Sequence, residues 1–374
     1  MDRRQFLSGV GASGLLLAGC LSPDYTKTLV YSADEPVIAG PTIANDTAYF
    51  TIRIRSRNGK ENAGTLLGVD LSSGTLTEEI PYIVEYASWE RDIPLQSTRP
   101  VVDDQQVFIG GRVPVAYTLT GEKLWTIDFP DRFKAQASLR PPRVTDDTVY
   151  FGLSTGDVCA LQRQTGEVLW RTALGDGGIS GWDTLEDSII AVDVSGVIAI
   201  LNQESGDIER QRTLGPTEDD DPFTSGSAPH IVDGEIYVEG NGIVFRFDSR
   251  LQTVWAQSLP LDWAFTPVVT ESNCYVAGEK PEESTGYLYK LDRESGHIEW
   301  EKSLAIDLGD GQIIKSGDHI YTTTGSEDRE SVVVTTLDGD VVYDIPFESQ
   351  IAGLRGLEDS VSVLTTDGDL FTVK

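Results

Sequence analysis

Apolar and polar positions alternate in short bursts along the chain, the pattern of brief β-strands separated by tight turns. One unit returns about every 45 residues. It begins with a position that is often proline. A short apolar stretch follows, then a two-residue acidic or glycine turn and a second β run. The turns are Asn45-Asp46, Asp104-Gln105, Asp146-Asp147, Glu186-Asp187, Asp233-Gly234, Glu271-Ser272, Gly317-Asp318 and Glu358-Asp359. A hydrophobic pair follows each turn, clearly in Val149-Tyr150 and Ile236-Tyr237, weakly in Val361-Ser362. The proline position holds Pro41, Pro100, Pro142, Pro229 and Pro267, and elsewhere Trp182, Ile313 and Leu354.

A second signature closes the unit. Gly-x-x-x-Trp runs from Gly121 to Trp125, Gly166 to Trp170 and Gly296 to Trp300. Trp255 keeps the aromatic but has Leu251 in the glycine place, and Tyr343 follows Gly339. Repeats one and four carry Glu78 and Arg210 where tryptophan is expected. Four antiparallel strands per unit predict an all-β fold, an eight-bladed β-propeller. Repeat eight ends after its third strand. The missing fourth is expected from Lys27 to Tyr31, which would remove two open edges at once. An open solenoid, or seven blades and a tail, fits the even count of turns less well.

Residues 1–19 read as an export signal. Arg3 and Arg4 form a twin-arginine pair, and the apolar run Phe6 to Gly19 is too short for a spanning helix of about 20 residues. Leu17-Ala18-Gly19-Cys20 resembles a lipobox, so Cys20 is expected to be the lipidated first residue, followed by a linker over 20–26 and the propeller over 27–374. The alternative is an uncleaved anchor with an incidental cysteine. The first reading predicts a lipid-anchored protein on the extracytoplasmic face of the cell membrane, exported folded by the twin-arginine route.

Charge narrows the partners. Lys and Arg total 29 against 60 Asp and Glu, a net charge of −31, and only nine of the bases are Lys. Nucleic acid and anionic lipid surfaces are poor partners for such a chain. The usage resembles that of proteins from salt-loving archaea. The run Glu218-Asp219-Asp220-Asp221 lacks calcium-loop spacing and reads as solvated loop. Cys159 and Cys274 sit in strand-like runs of separate repeats and read as buried thiols rather than a disulfide.

The run from Ala160 to Trp170 resembles the repeat of the pyrroloquinoline-quinone-type propellers, and a small lipoprotein of this kind is similar to the BamB-type lipoproteins. That resemblance implies a scaffold that binds proteins without catalysis, and it implies that Trp125, Trp170, Trp255 and Trp300 dock blades. The quinone enzymes of the family carry adjacent cysteines and a calcium site, and this chain has no adjacent cysteine pair. No cofactor or metal is therefore expected.

The three histidines, His230, His297 and His319, show no metal-ligand spacing, and no nucleophile elbow or phosphate loop occurs. Binding is expected on the long loops of one face and at the channel mouth, at Trp89, Arg91, Arg99, Arg140, Trp182, Phe223, Trp263 and Arg355. Phe133 and Phe265 belong to the same surroundings. The arginines favour an anionic ligand or acidic peptide, or else they balance local acids. The function expected is a monomeric, membrane-anchored scaffold for protein or peptide partners. The alternative is a quinone- or metal-dependent oxidoreductase, or a sugar-binding propeller.

Overall fold

The computed structural model describes residues 25–33, 35–55, 62–84, 98–103, 105–111, 114–127, 140–214, 228–280, 285–304, 308, 311–324 and 330–374. Among them there is no helix, and the strands form eight separate antiparallel sheets. In each sheet the strands run A to D in order. Strand A is innermost, touching strand A of neighbouring sheets. The molecule is an eight-bladed propeller.

Blade 4 shows why these residues fold this way. Strand B (Ser188–Asp193) and strand C (Val197–Asn202) are rich in Ile and Val and buried along nearly their whole length. Both faces are apolar because a neighbouring blade covers each one, unlike a sheet with one wet face. Strand D (Ile208–Thr213) is mostly exposed and polar. The A–B turns use residues that tolerate positive φ. In blade 5, Asp233 (φ 53°) and Gly234 (φ 78°) form the mirror-image turn that suits strand twist.

The eighth blade closes the ring. Its first three strands are Ile351–Gly356, Val361–Thr365 and Asp369–Val373, and its strand D is Lys27–Ser32 from the other end of the chain. Lys27 pairs with Val373 and Ser32 with Asp369, and the amide of Lys374 donates to the Thr26 carbonyl at 3.0 Å. The two open edges therefore satisfy each other.

Seams between blades repeat one device. Trp170 of blade 3 lies against Gly206 in the C–D turn of blade 4. A Cβ on Gly206 would fall 2.5 Å from the indole. The Trp170 Nε1–H donates to the Gln203 carbonyl of the same turn at 2.9 Å. Trp125 meets Gly166 and the Arg163 carbonyl (2.7 Å) in the same way, and Trp255 meets Gly296 and the Arg293 carbonyl (2.9 Å). Trp300 lies on Gly339, but there the Leu337 carbonyl accepts from the Tyr275 hydroxyl instead.

Two of these turns add an ionic clamp. Arg163 reaches back to blade 2, to Asp103 at 2.6 Å and the Gln106 side chain at 2.7 Å. Arg293 reaches back to blade 5, to Asp233 at 2.8 Å, Glu235 at 3.0 Å and the Tyr237 hydroxyl at 2.9 Å. Burial pushes the Glu235 carboxyl upward, but hydrogen bonds from Arg246, Tyr237 and Arg293 outweigh it and hold it below its ordinary value. Cys159 and Cys274 are buried free thiols in different blades.

Gly206→Ala is expected to cost about 3 kcal/mol, because it adds a left-handed strain to a collision with Trp170. Gly234→Ala, at φ 78° with nothing within 4 Å of the new Cβ, is expected to cost only about 1 kcal/mol. Guanidinium unfolding of both variants checks the difference. Arg293→Met is expected to cost about 3 kcal/mol, since it strands Glu235 beside one remaining cation. A carboxyl held low contributes stability above its ordinary value near 4.5 and loses it as pH falls below that value. The unfolding midpoint of the parent should therefore fall on acidification below about 4.5, and the fall should be shallower in Arg293→Met.

Candidate functional site

The innermost strands place one residue per blade on a common ring. The position that is often proline is buried in all eight blades: Pro41, Pro100, Pro142, Trp182, Pro229, Pro267, Ile313 and Leu354. The next residue is partly exposed in all eight, on the innermost strand of its blade. Its cross-strand partner is equivalent throughout, as in Arg143 with Tyr150, Asp183 with Ile190, His230 with Tyr237 and Arg355 with Ser362. Three blades supply apolar residues here, Val101, Val268 and Ile314. The other five supply Thr42, Arg143, Asp183, His230 and Arg355; those of blades 3, 4 and 5 stand side by side as one polar arc, and Val101 of blade 2 separates them from Arg355 and Thr42 of blades 8 and 1.

Adjacent members of that arc interact. Arg143 forks onto Asp183, with Nε to Oδ1 at 2.9 Å and Nη2 to Oδ2 at 3.1 Å. His230 lies next along the ring. Burial lowers its pKa, with Asp183 pulling upward and Arg143 pushing down. Arg99 precedes strand A of blade 2 (Val101–Val102). Burial and the neighbouring Arg143 cation push its guanidinium down to about 10, and its Nε finds no acceptor among the described residues. Arg140 donates from Nε to the Ser180 carbonyl at 2.8 Å, and burial lowers its pKa as well. Arg355 has a buried Nε without an acceptor, while its Nη1 donates to the Leu354 carbonyl.

The arc, with Arg99 and Arg140 beside it, thus sets three arginines against one carboxylate already engaged by Arg143, while Arg355 stands apart on blade 8. It can hold an anion through charge-assisted hydrogen bonds. It presents no nucleophile with an adjacent base. Glu239, at the loop end of strand B in blade 5 (Glu235–Gly240), is 3% exposed. Burial pushes its carboxyl up to about 8, although the Gly242 amide donates to it.

Some expected site residues fall elsewhere. Trp182 is 2% exposed, packed between blades 3 and 4 against Gly152, whose missing Cβ makes room for the indole. It offers no surface to a ligand. Trp263 is half-buried beside Phe265, with ring centroids 5.1 Å apart. Trp89, Arg91, Phe133 and Phe223 lie outside the described residues, as do Arg3, Arg4 and Cys20. Arg143, Asp183 and His230 were not singled out by the sequence reading. The signal that finds them is the residue following the recurrent proline position.

A quinone–calcium centre was tested against this arrangement. Among the described residues no three of His, Cys, Asp and Glu converge to hold a metal ion. The one carboxylate on the arc is engaged by Arg143. These residues do not fit such a centre.

Asp183→Asn is expected to cost about 2 kcal/mol, because Arg143 loses its fork and faces Arg99 uncompensated. The double variant Arg143→Met/Asp183→Asn should recover most of that loss in a double-mutant cycle of unfolding free energies.

Comparison with known proteins bears on the family. The profile of the family described as outer membrane protein assembly factor BamB matches residues 62–208, 110–251 and 240–373. A BamB from Yersinia pestis is 24% identical over 254 residues, 59% of this chain and 62% of that protein. A quinoprotein ethanol dehydrogenase from Pseudomonas putida is 27% identical over 119 residues, 30% of this chain and 19% of that protein. The matches thus span less than two thirds of these relatives. Among solved structures, BamB from Moraxella catarrhalis superposes with a TM-score of 0.67 at 16% identity, covering 93% of this chain and 98% of that one. Quinohemoprotein alcohol dehydrogenase from Comamonas testosteroni gives 0.69 at 12% identity, covering 93% and 76%. These structural likenesses are likenesses of fold.

Proposed function

The chain belongs to the family of the outer membrane protein assembly factor BamB, and from that premise we propose that it is a non-catalytic scaffold that binds protein or peptide partners outside the cytoplasm. The observation that carries the reading is the match of the family profile across residues 62–373, all within the closed ring. The blades supply a rigid frame, and loops held by a rigid frame are common binding surfaces. The arginine arc supports acidic groups as the chemistry recognised at the axis. The sequence supports attachment through lipid on Cys20 after twin-arginine export, and the acidic surface suits a salty medium.

A second reading is kept alive by the quinoprotein relatives, a quinone-dependent oxidoreductase. The residues around the axis do not favour it.

Cross-linking of the full-length protein in native membranes, followed by affinity capture, tests the scaffold. Reproducible partners are expected, lost or weakened at least tenfold in Arg99→Glu/Arg355→Glu. Capture of no reproducible partner would overturn the proposal. In parallel, labelled lipid should enter the parent and not Cys20→Ala. Added pyrroloquinoline quinone with calcium should bring neither a bound chromophore nor dye-linked alcohol oxidation. Turnover would establish the second reading instead.

A further inference from the structure

The seam between blades 4 and 5 departs from the others on both sides. On blade 4, Arg210 stands where Trp170 stands in blade 3: Arg210 pairs across to Ile200 as Trp170 pairs to Ala160. On blade 5, Leu251 replaces the glycine and adopts φ 58°. The turn is one residue shorter than in blade 4, as it is in blades 2 and 7. The Leu251 amide bonds to the carbonyl three residues back, at Asp248, where the Gly206 amide reaches four back, to Asn202. Arg212 takes over the remaining link. Its Nη1 donates to the Leu251 carbonyl at 3.0 Å and the Thr253 hydroxyl at 2.9 Å, and its guanidinium lies over Phe247. In blade 3 a small Thr172 does the same job on the Gly206 carbonyl.

Losing the indole opens the seam. A cleft of about 620 Å³ results, lined by Arg210, Arg212, Arg250, Glu209 and their neighbours. Three arginines face one acid there, in a chain with 60 acids and 29 bases. Several other arginines are spent on acids of their own chain: Arg143 on Asp183, Arg163 on Asp103, Arg171 on Asp157, Arg293 on Asp233 and Glu235. The side chains of Arg210 and Arg250 are exposed and have no hydrogen bond or ion pair among the described residues. Beside the cleft runs strand D of blade 4, Ile208–Thr213, which among the described strands is paired with strand C alone and leaves its outer edge open.

We propose that this cleft binds an extended acidic segment of a partner protein. The segment adds to the open edge of strand D, and its carboxylates pair with Arg210 and Arg250. Charge complementarity selects it: planar guanidinium groups with no internal partner match carboxylates in a fork. The edge supplies main-chain hydrogen bonds, the usual source of affinity in strand addition. This deepens the scaffold reading and rests on it, but its test does not pass through the membrane partners.

The test uses purified full-length protein and a fluorescent ten-residue peptide with glutamate at alternate positions. Anisotropy titrations are expected to show saturable binding, weakened at least tenfold in Arg210→Gln/Arg250→Gln. These exposed substitutions should leave the thermal midpoint unchanged, so lost binding reports the site and not the fold. Replacing the peptide glutamates by glutamine should weaken binding at least tenfold. Methylating the alternate backbone amides that would face the edge of strand D should do the same. Equal binding of the glutamine peptide would overturn the carboxylate role, and equal binding of the methylated peptide would overturn strand addition. Displacement by millimolar inorganic phosphate as effective as by unlabelled peptide would make it an anion site only. Self-association that Arg210→Gln/Arg250→Gln abolishes would assign the cleft to a second copy of this chain. Peptide binding without membrane partners would sustain the cleft while the scaffold fails, and the converse would sink the cleft alone.

Discussion

A propeller blade cannot bury its own faces. Each sheet is a single layer, so the apolar residues of its middle strands leave water only when a neighbour lies flat on each side. The seam is therefore the constraint on which the molecule depends. Its repeating solution is an indole seated on a glycine that no other residue can replace without collision, with the indole N–H given to a carbonyl of the same turn. Trp125, Trp170 and Trp255 satisfy both halves of that contact. Because the ring is closed by Lys27–Ser32 on the last blade, strain at one seam has no free end through which to escape.

Charge is organised around the same seams. The chain is strongly acidic on its surface, yet several arginines are drawn inward to bridge one blade to the next. Arg163 and Arg293 each reach an acid that lies 60 residues earlier in the chain. Half-buried forks of this sort hold two blades in one register, since either partner left alone keeps a desolvated charge. Where an arginine has no such partner, its charge is available. Among the described residues, the axial arc around Arg99 and the cleft around Arg210 are places where this occurs. They lie at opposite radii, one at the inner strands and one at an outermost strand.

The division of labour fits a binding protein. The middle strands carry the packing, and the hydroxyls they hold without a partner, such as Thr335 and Ser362, are buried there. The described arginines without an internal partner lie at the inner and outer strands. Among the described residues, no group of His, Cys, Asp and Glu able to hold a metal gathers at the axis.

Much of this was legible in the sequence. The eight turns, the four-strand unit and the borrowed closing strand follow from local patterns, because each repeat writes its own strands and its own glycine turn; the docking role of the tryptophans came from the family resemblance. Arg210 and Leu251 were visible too, as departures from that pattern. What the repeat could not state is what happens between blades. Trp182 looked like a site residue by its position near a strand start, and packing between blades 3 and 4 buries it, because Gly152 leaves it space. The ring of Arg143, Asp183 and His230 exists only once three inner strands stand side by side. Whether an arginine is clamped or free depends on which acid a neighbouring blade brings to it. The sequence by itself determined the strands and their turns, since those rest on contacts within one repeat. The tertiary structure alone decided the axial arc and the open seam, since both are made by side chains from different repeats meeting across a closed ring.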